Sequence, residues 1–290
     1  MPFSTLETRD CPICNFNCTK LIHVQIVDEY TYLHSLCKIC GFVFQQRRYE
    51  RSHYEALPYQ TQEDYDDHSK RRASYILRFC GEFLFDTSLL ISPKILDIGC
   101  GRGGVMKNIK TLMPLASVTG YTLDMGETQA TDLKILYRNI EDLHALDFTT
   151  TAKHDLIIMS HVVEHFYDLR KAMDNVRQLL AIDGLLYIEV PSFHWCEVRM
   201  PSVRAPEHLS YFTKRSLTNL LTKHGFKILK IKDSRYWGNI KVVATIENRW
   251  DDVEIKPESG WWTMTKHHLA KSLQSYYRLK TKIVKPGSNE

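Results

Sequence analysis

Three groups of residues in this chain have the types and spacing to do chemistry. The first is a cysteine quartet. Cys11 and Cys14 form one C-x-x-C pair and Cys37 and Cys40 another, with 22 residues between the pairs. Each pair sets two thiolates on one turn, and two such turns can close a tetrahedral shell around Zn²⁺. Gly41, directly after Cys40, suits a tight knuckle turn. Four thiolates leave no position for a catalytic water, so the expected metal is structural and folds a segment too small to bury a core of its own. Cys18 and His34 lie nearby as spare donors, although a free buried cysteine and a surface histidine are the favoured readings. The second group is His161, Glu164 and His165, at i, i+3 and i+4. On a helix following a strand they share one face. No further ligand run accompanies them, so the spacing reads as substrate-facing rather than as a second metal site. The third group, Glu207 and His208, follows a long loop, and long loops are often functional. In that loop Arg199 and Arg204 could clamp an anionic substrate, or simply be solvated.

A glycine-rich turn supplies the remaining chemistry. In KILDIGCGRGG, residues 94–104, an apolar strand ends at Asp97, and Gly99, Gly101, Gly103 and Gly104 lead into a helix. Glycines let a backbone approach a ligand closely. The spacing Gly99-x-Gly101-x-x-Gly104 also satisfies the dinucleotide fingerprint, so the glycines alone do not choose. Asp97 does, because a carboxylate at that strand end repels a pyrophosphate and attracts a cation. S-adenosylmethionine, with its ammonium and sulfonium, is such a ligand. Elements must hold these groups in place. Short apolar runs (KILDIG, SVTGYTL, DLIIMS, GLLYIEV, KILKIKD, KVVATIE) alternate with helical stretches, which predicts a mostly parallel sheet covered by helices. The last two runs lie close together and could form an antiparallel edge; Gly225 is a plausible cap of the helix before them. Upstream, LIHVQIV and YTYLHSL read as strands and SKRRASYILRFCGEFLF as an amphipathic helix.

These motifs resemble the class I S-adenosylmethionine-dependent methyltransferases over residues 94 to about 247. ILDIGCGRGG resembles their first motif, SVTGYTLD their second strand, NIED the acidic loop near adenine, HDLIIMSHVVEHF the fourth strand and GLLYIEVP the fifth. The resemblance implies an α/β fold, a Rossmann-like seven-stranded methyltransferase sheet with a small N-terminal zinc-binding module. It implies cofactor contacts from Asp97, Gly99, Cys100, Gly101, Gly103, Glu141, Asp142 and Ser160. The position for the ribose acid holds Thr122, and Asp124 stands two residues later in its stead. LCKICGFVF, HYEALPY and PEHLSYFTKRSLTNLLTKHGF further resemble a bacterial subgroup that joins a four-cysteine module to this domain. Many of its members methylate sugars or intermediates of polysaccharides and natural products, and some are C-methyltransferases of nucleotide-linked keto sugars. This resemblance makes His208 the base and Glu207 its orienting carboxylate; His161, at the carboxyl end of the fourth strand where ligands bind in open α/β sheets, is a further catalytic candidate. Two departures weigh against C-methylation: Ala205 stands where those relatives place a tyrosine, and only about forty residues follow the last strand where they carry another large domain.

Composition fits this scheme. With 43% hydrophobic and 25% charged residues and a net charge of +4, the 290-residue chain has the balance of a soluble globular protein. The boundaries expected are 1–50 for the zinc-binding module, 51–93 for a linker and helix, 94–248 for the methyltransferase domain and 249–290 for a helical tail. That tail carries a basic face and Trp261 and Trp262. No apolar run approaches the ~18 residues of a membrane span, and the N-terminus lacks a leader pattern. Scattered cysteines fit a reducing cytoplasm. The expected partner is a small acceptor, a sugar or sugar nucleotide. A nucleic acid is disfavoured, because the first fifty residues carry balanced charge without a basic, aromatic-laced stripe. A zinc-ribbon RNA methyltransferase and a catalytically silent cofactor binder are the competing classes. No sequence feature fixes an oligomeric state.

Overall fold

Apolar, β-branched runs separated by tight turns build two sheets. A computed structural model of the chain describes residues 6–57, 65–84, 92–123, 133–144, 147–148, 153–193, 206–234, 238–247, 255–257 and 265. Asp124, Tyr59, Arg199, Arg204, Ala205 and nearly all of 249–290 fall outside them, as do Trp261 and Trp262. The first sheet comprises β1 (Glu7–Thr8), β2 (Thr19–Val27), β3 (Tyr30–Cys37) and β4 (Val43–Arg48), antiparallel in the order β1-β4-β3-β2. A fifth strand arrives from far along the chain: β10 (Ser210–Tyr211) pairs antiparallel with β4, Ser210 opposite Phe44 and Tyr211 opposite Val43.

The second sheet holds β5 (Lys94–Ile98), β6 (Ser117–Thr122), β7 (Lys134–Tyr137), β8 (His154–Ser160), β9 (Leu180–Pro191), β11 (Phe226–Asp233) and β12 (Asn239–Ile246). Its order is β11-β12-β9-β8-β5-β6-β7. Strands β5 to β9 run parallel, and β12 is antiparallel to both of its neighbours. This is the expected Rossmann-like α/β sheet. The strand absent from the six apolar runs is β7, four residues long with exposed and half-buried side chains. The last two strands form the expected antiparallel pair at one edge of the sheet, with β12 the inner strand, between β9 and β11. Its run Ile240, Lys241, Val242, Val243, Ala244 is buried on both faces, which requires an interior place. FKILKIKD in β11 alternates lysine with apolar residues and suits the edge.

Helices α1 (Arg51–Glu55), α2 (Tyr65–Leu84), α3 (Gly104–Leu112), α4 (Leu169–Leu179) and α5 (Lys214–Lys223) connect and cover these strands. Leu169, Ala172, Met173, Val176 and Leu179 of α4 recur at helical spacing and are buried in one core layer. Ala73, Ile76, Phe79 and Cys80 of α2 pack in the other layer with Ile95, Ile158, Tyr187 and Val243. A Thr213–Ser216 capping box opens α5, and Gly225, at φ 73°, follows its end. The four metal-type cysteines lie in the same apolar cluster as Leu217, Leu220 and Met173. The small sheet therefore shares the main core. Among the described residues no helix is long and apolar enough to cross a membrane.

Candidate active site and metal centre

All four cysteines, Cys11, Cys14, Cys37 and Cys40, are buried, and their sulfurs lie within 4.8 Å of one another. The Cys11–Cys40 and Cys14–Cys37 separations are 3.6 and 3.4 Å. Zn–S bonds of about 2.3 Å in a tetrahedron place sulfurs about 3.8 Å apart, so this donor set fits Zn²⁺. Arg170 donates to the carbonyls of Cys11 and Pro12, and Lys223 to that of Ile13, so α4 and α5 clamp the first knuckle. The spare donors point elsewhere: Cys18 is exposed, and His34 pairs with the Tyr211 hydroxyl at 2.9 Å.

At the carboxyl end of β5 the glycine turn forms as expected. Gly99, Gly101 and Gly103 all have positive φ. At Gly99 a side chain is excluded, because a Cβ would lie 2.8 Å from Val162 Cγ2. Gly103 is the left-handed N-cap of α3, and a Cβ there would meet Ile135 Cδ1 at 2.8 Å. The Cys100 side chain is buried over Gly120, whose missing Cβ leaves it room. Any contact from Cys100 to a ligand therefore falls to its backbone. Asp97 is buried beneath the turn, and desolvation pushes its carboxyl up to about 7 despite the pull of Arg72. The buried hydroxyl of Ser160, at the end of neighbouring β8, has no hydrogen-bond partner among the described residues. A high-lying buried acid and an unpartnered hydroxyl beside a glycine-rich turn fit a polar, cationic ligand such as the amino-acid end of S-adenosylmethionine.

A 430 Å³ cavity follows along the sheet edge, lined by Arg51, Leu123, Tyr137, Arg138, Asn139 and Asp142 among others. Asp142 faces it in a bidentate pair with Arg51, at 2.6 and 2.8 Å, which holds its carboxyl below the usual range. Glu141 does a different task from the one its motif implied. It is buried, and its two oxygens accept from the backbone amides of Tyr167 and Asp168 at 3.1 and 2.7 Å, which anchors the start of α4. Thr122 is buried at the end of β6.

The acceptor side follows β8 directly. His161 and its neighbours do not share a helix face, which corrects the spacing argument. Only Val163–His165 form a 3-10 turn, and His161 precedes it at φ 57°. Its ring lies between two buried carboxylates, 3.4 Å from Glu164 and 3.8 Å from Glu189. Burial alone would lower its pKa, but the two acids override this and hold it up at about 9. His161 is thus an imidazolium at neutral pH and has no free site for a proton. Burial likewise works against Glu164, yet His161 and the nearby rings of His165 and His208 bring it down to about 2. Glu189 also accepts from Asn239, Lys241 and Tyr187 at 2.7, 3.0 and 2.9 Å. Sequence reasoning missed this network. Its signal was a lone Glu in GLLYIEVP and a lone Lys in IKVVATI, which the register sets opposite each other.

Glu164, His165 and His208 bring ligand-type atoms within 4.8 Å of one another, and the two rings meet edge-on at 4.7 Å. The buried carboxylate grouped with His208 is therefore Glu164. Glu207, expected to orient His208, offers its backbone carbonyl to His165 Nδ1 at 3.2 Å. Tyr54 is buried and packs, donating its hydroxyl to Gln45.

Comparison with known proteins agrees with the fold. The malonyl-[acyl-carrier protein] O-methyltransferase of Bacillus anthracis is 30% identical over 101 residues, 33% of this chain and 36% of that protein. The ubiquinone biosynthesis O-methyltransferase of Glaesserella parasuis serovar 5 is 34% identical over 114 residues, 35% of this chain and 47% of its own length. The matched segment thus spans about a third to a half of these curated relatives. The plantazolicin methyltransferase BpumL in complex with SAH superposes over 64% of this chain and 88% of its own, at 16% identity and a TM-score of 0.50, a likeness of fold. A family model described as a methyltransferase domain matches residues 53–231, from α1 into β11, and the chain belongs to that family.

Proposed function

We propose that this chain transfers a methyl group from S-adenosylmethionine to a small acceptor, first a hydroxyl of a sugar, sugar nucleotide or related natural-product intermediate. The observation that carries this reading is the continuity of β8: Ser160 lies beside the glycine turn, and Glu164 and His165, four and five residues on, meet His208. The bound cofactor supplies an electrophilic methyl group on sulfur. The protein must align a nucleophile with it and exclude water. Asp97 and the Gly99–Gly103 backbone take the ammonium end. Asp142 and Asn139 line the adenosine cavity, which Asp124, outside the described residues, adjoins in sequence. His208 removes the acceptor proton, and Glu164 faces the imidazolium so formed. Already protonated, His161 is a counter-charge to Glu164 and Glu189. The cysteine quartet holds a structural Zn²⁺. Its unpaired thiols suit the reducing cytoplasm.

Both curated relatives described above are O-methyltransferases, which supports an oxygen nucleophile. The RNA reading finds little support: edge strand β2 exposes Leu21, Val24 and Ile26 rather than a cationic stripe. The deciding experiment is calorimetric titration with S-adenosylhomocysteine, then mass spectrometry of a sugar-nucleotide panel incubated with S-adenosylmethionine. Binding and a product heavier by one methylene are expected, and carbon-13 NMR of the product separates O- from C-methylation. A folded protein giving no binding heat would overturn the proposal.

A further inference from the structure

We propose that Gln45, a residue of the zinc-binding sheet, is the positioning residue for the segment that carries His208. The inference rests on the reading of His208 as the base and adds the part that aims it. Gln45 is fully buried in β4. Its Nε2 donates to two carbonyls of that segment, Pro206 at 3.0 Å and His208 at 2.9 Å. Its backbone N–H donates to the carbonyl of Leu209 at 3.0 Å. Its Oε1 accepts from the Tyr54 hydroxyl at 2.7 Å, and its own carbonyl accepts from Arg9 at 3.1 Å. Both amide protons and the amide oxygen are therefore engaged, and the side chain has one orientation that satisfies them.

The geometry has a directional consequence. The peptide unit between His208 and Leu209 is gripped from both sides. Gln45 holds its carbonyl, and its N–H donates to the backbone carbonyl of Glu164 at 2.9 Å. Rotating that peptide would break both bonds, and the same rotation would swing the His208 ring away from Glu164 and His165. Residues 210 and 211 then continue as β10, in register with Phe44 and Val43 beside Gln45. A residue present only to fill space at this position would be apolar. A buried amide with two donors aimed at two carbonyls is a device for orientation.

The test uses the full chain, purified with its metal and labelled with carbon-13 on histidine rings. The His208 signal is assigned by its loss in His208→Ala. In Gln45→Met, which keeps length but removes both donors, S-adenosylhomocysteine affinity should stay within about twofold. The titration midpoint of His208 should fall by about half a pH unit as the ring leaves the Glu164 carboxylate. Tyr54→Phe, which frees the Gln45 amide to rotate, should move the midpoint the same way by less; it decides the matter alone if Gln45→Met does not fold. An unchanged His208 midpoint in the folded variants overturns the positioning role and leaves the base assignment standing. Full methyl transfer by His208→Ala on the sugar-nucleotide panel overturns the base assignment, while the ring titration still reports on positioning.

Discussion

Asp97 has a carboxyl raised to about 7 by burial. Between about pH 4 and that value the folded chain keeps a proton that the unfolded chain has lost. Its contribution to stability is thus complete at low pH and is lost as pH rises through 7. A cationic ligand prefers the ionised form. S-adenosylhomocysteine binding should therefore release up to about one proton near neutrality and tighten as pH rises through 7. Calorimetry in buffers of different ionisation heats measures this release, and Asp97→Asn should abolish it. Glu164 and His161 have opposite shifts, down to about 2 and up to about 9. Their pairing stabilises the fold from above the unfolded carboxyl value until pH passes through about 9, and is lost in acid as Glu164 protonates. Glu164→Gln should cost about 2–3 kcal/mol at about pH 6, with much less cost above about pH 9.5, as read from urea melts at both values. The same substitution should slow methyl transfer about 10–100-fold while S-adenosylhomocysteine affinity holds.

At the scale of elements, the turn between β5 and α3 is the most constrained. Gly103→Ala places a Cβ 2.8 Å from Ile135 Cδ1 at a φ of 83°. It should cost about 1–2 kcal/mol and weaken cofactor binding more than it lowers the melting temperature in proportion. This turn was legible in the sequence because glycine spacing is a local backbone requirement. So were the cysteine knuckles and the six apolar strands. β7 was not, because four residues at a sheet edge bury too little to leave a pattern. The antiparallel edge pair β11–β12 was legible from the closeness of its two runs; that β12 is the inner of the two was not, since an apolar run announces burial and not its neighbours. His161, Glu164 and His165 were found as residues, but their helical spacing misled. A 3-10 turn separates the groups that a helix would have aligned. The partnership of Glu164 with His208 joins segments 44 residues apart, and only the tertiary fold brings them together.

At the scale of the whole molecule, the small sheet and the large one are not independent. Ile13, Phe42 and Phe44 pack in one cluster with Leu217, Leu220 and Phe226. β10 is lent by the second half of the chain to the first sheet. Removing the proposed Zn²⁺ by chelation, or making Cys37→Ser, should therefore lower one common melting transition and not release a separate early step. Differential scanning calorimetry of the metal-loaded and stripped protein distinguishes the two. Two resolved transitions would show that the shared cluster does not couple the sheets.

The insertion of β12 sets an order on synthesis. A ribosome delivers Glu189 about fifty residues before Asn239 and Lys241, the two side chains on β12 that bond its carboxylate. Until they emerge, β9 lacks its neighbour β12 and Glu189 lacks two of its partners. The Asp97–Gly103 turn and Val162, which packs against Gly99, are thus synthesised well before His208, Asn239 and Lys241 of the acceptor side.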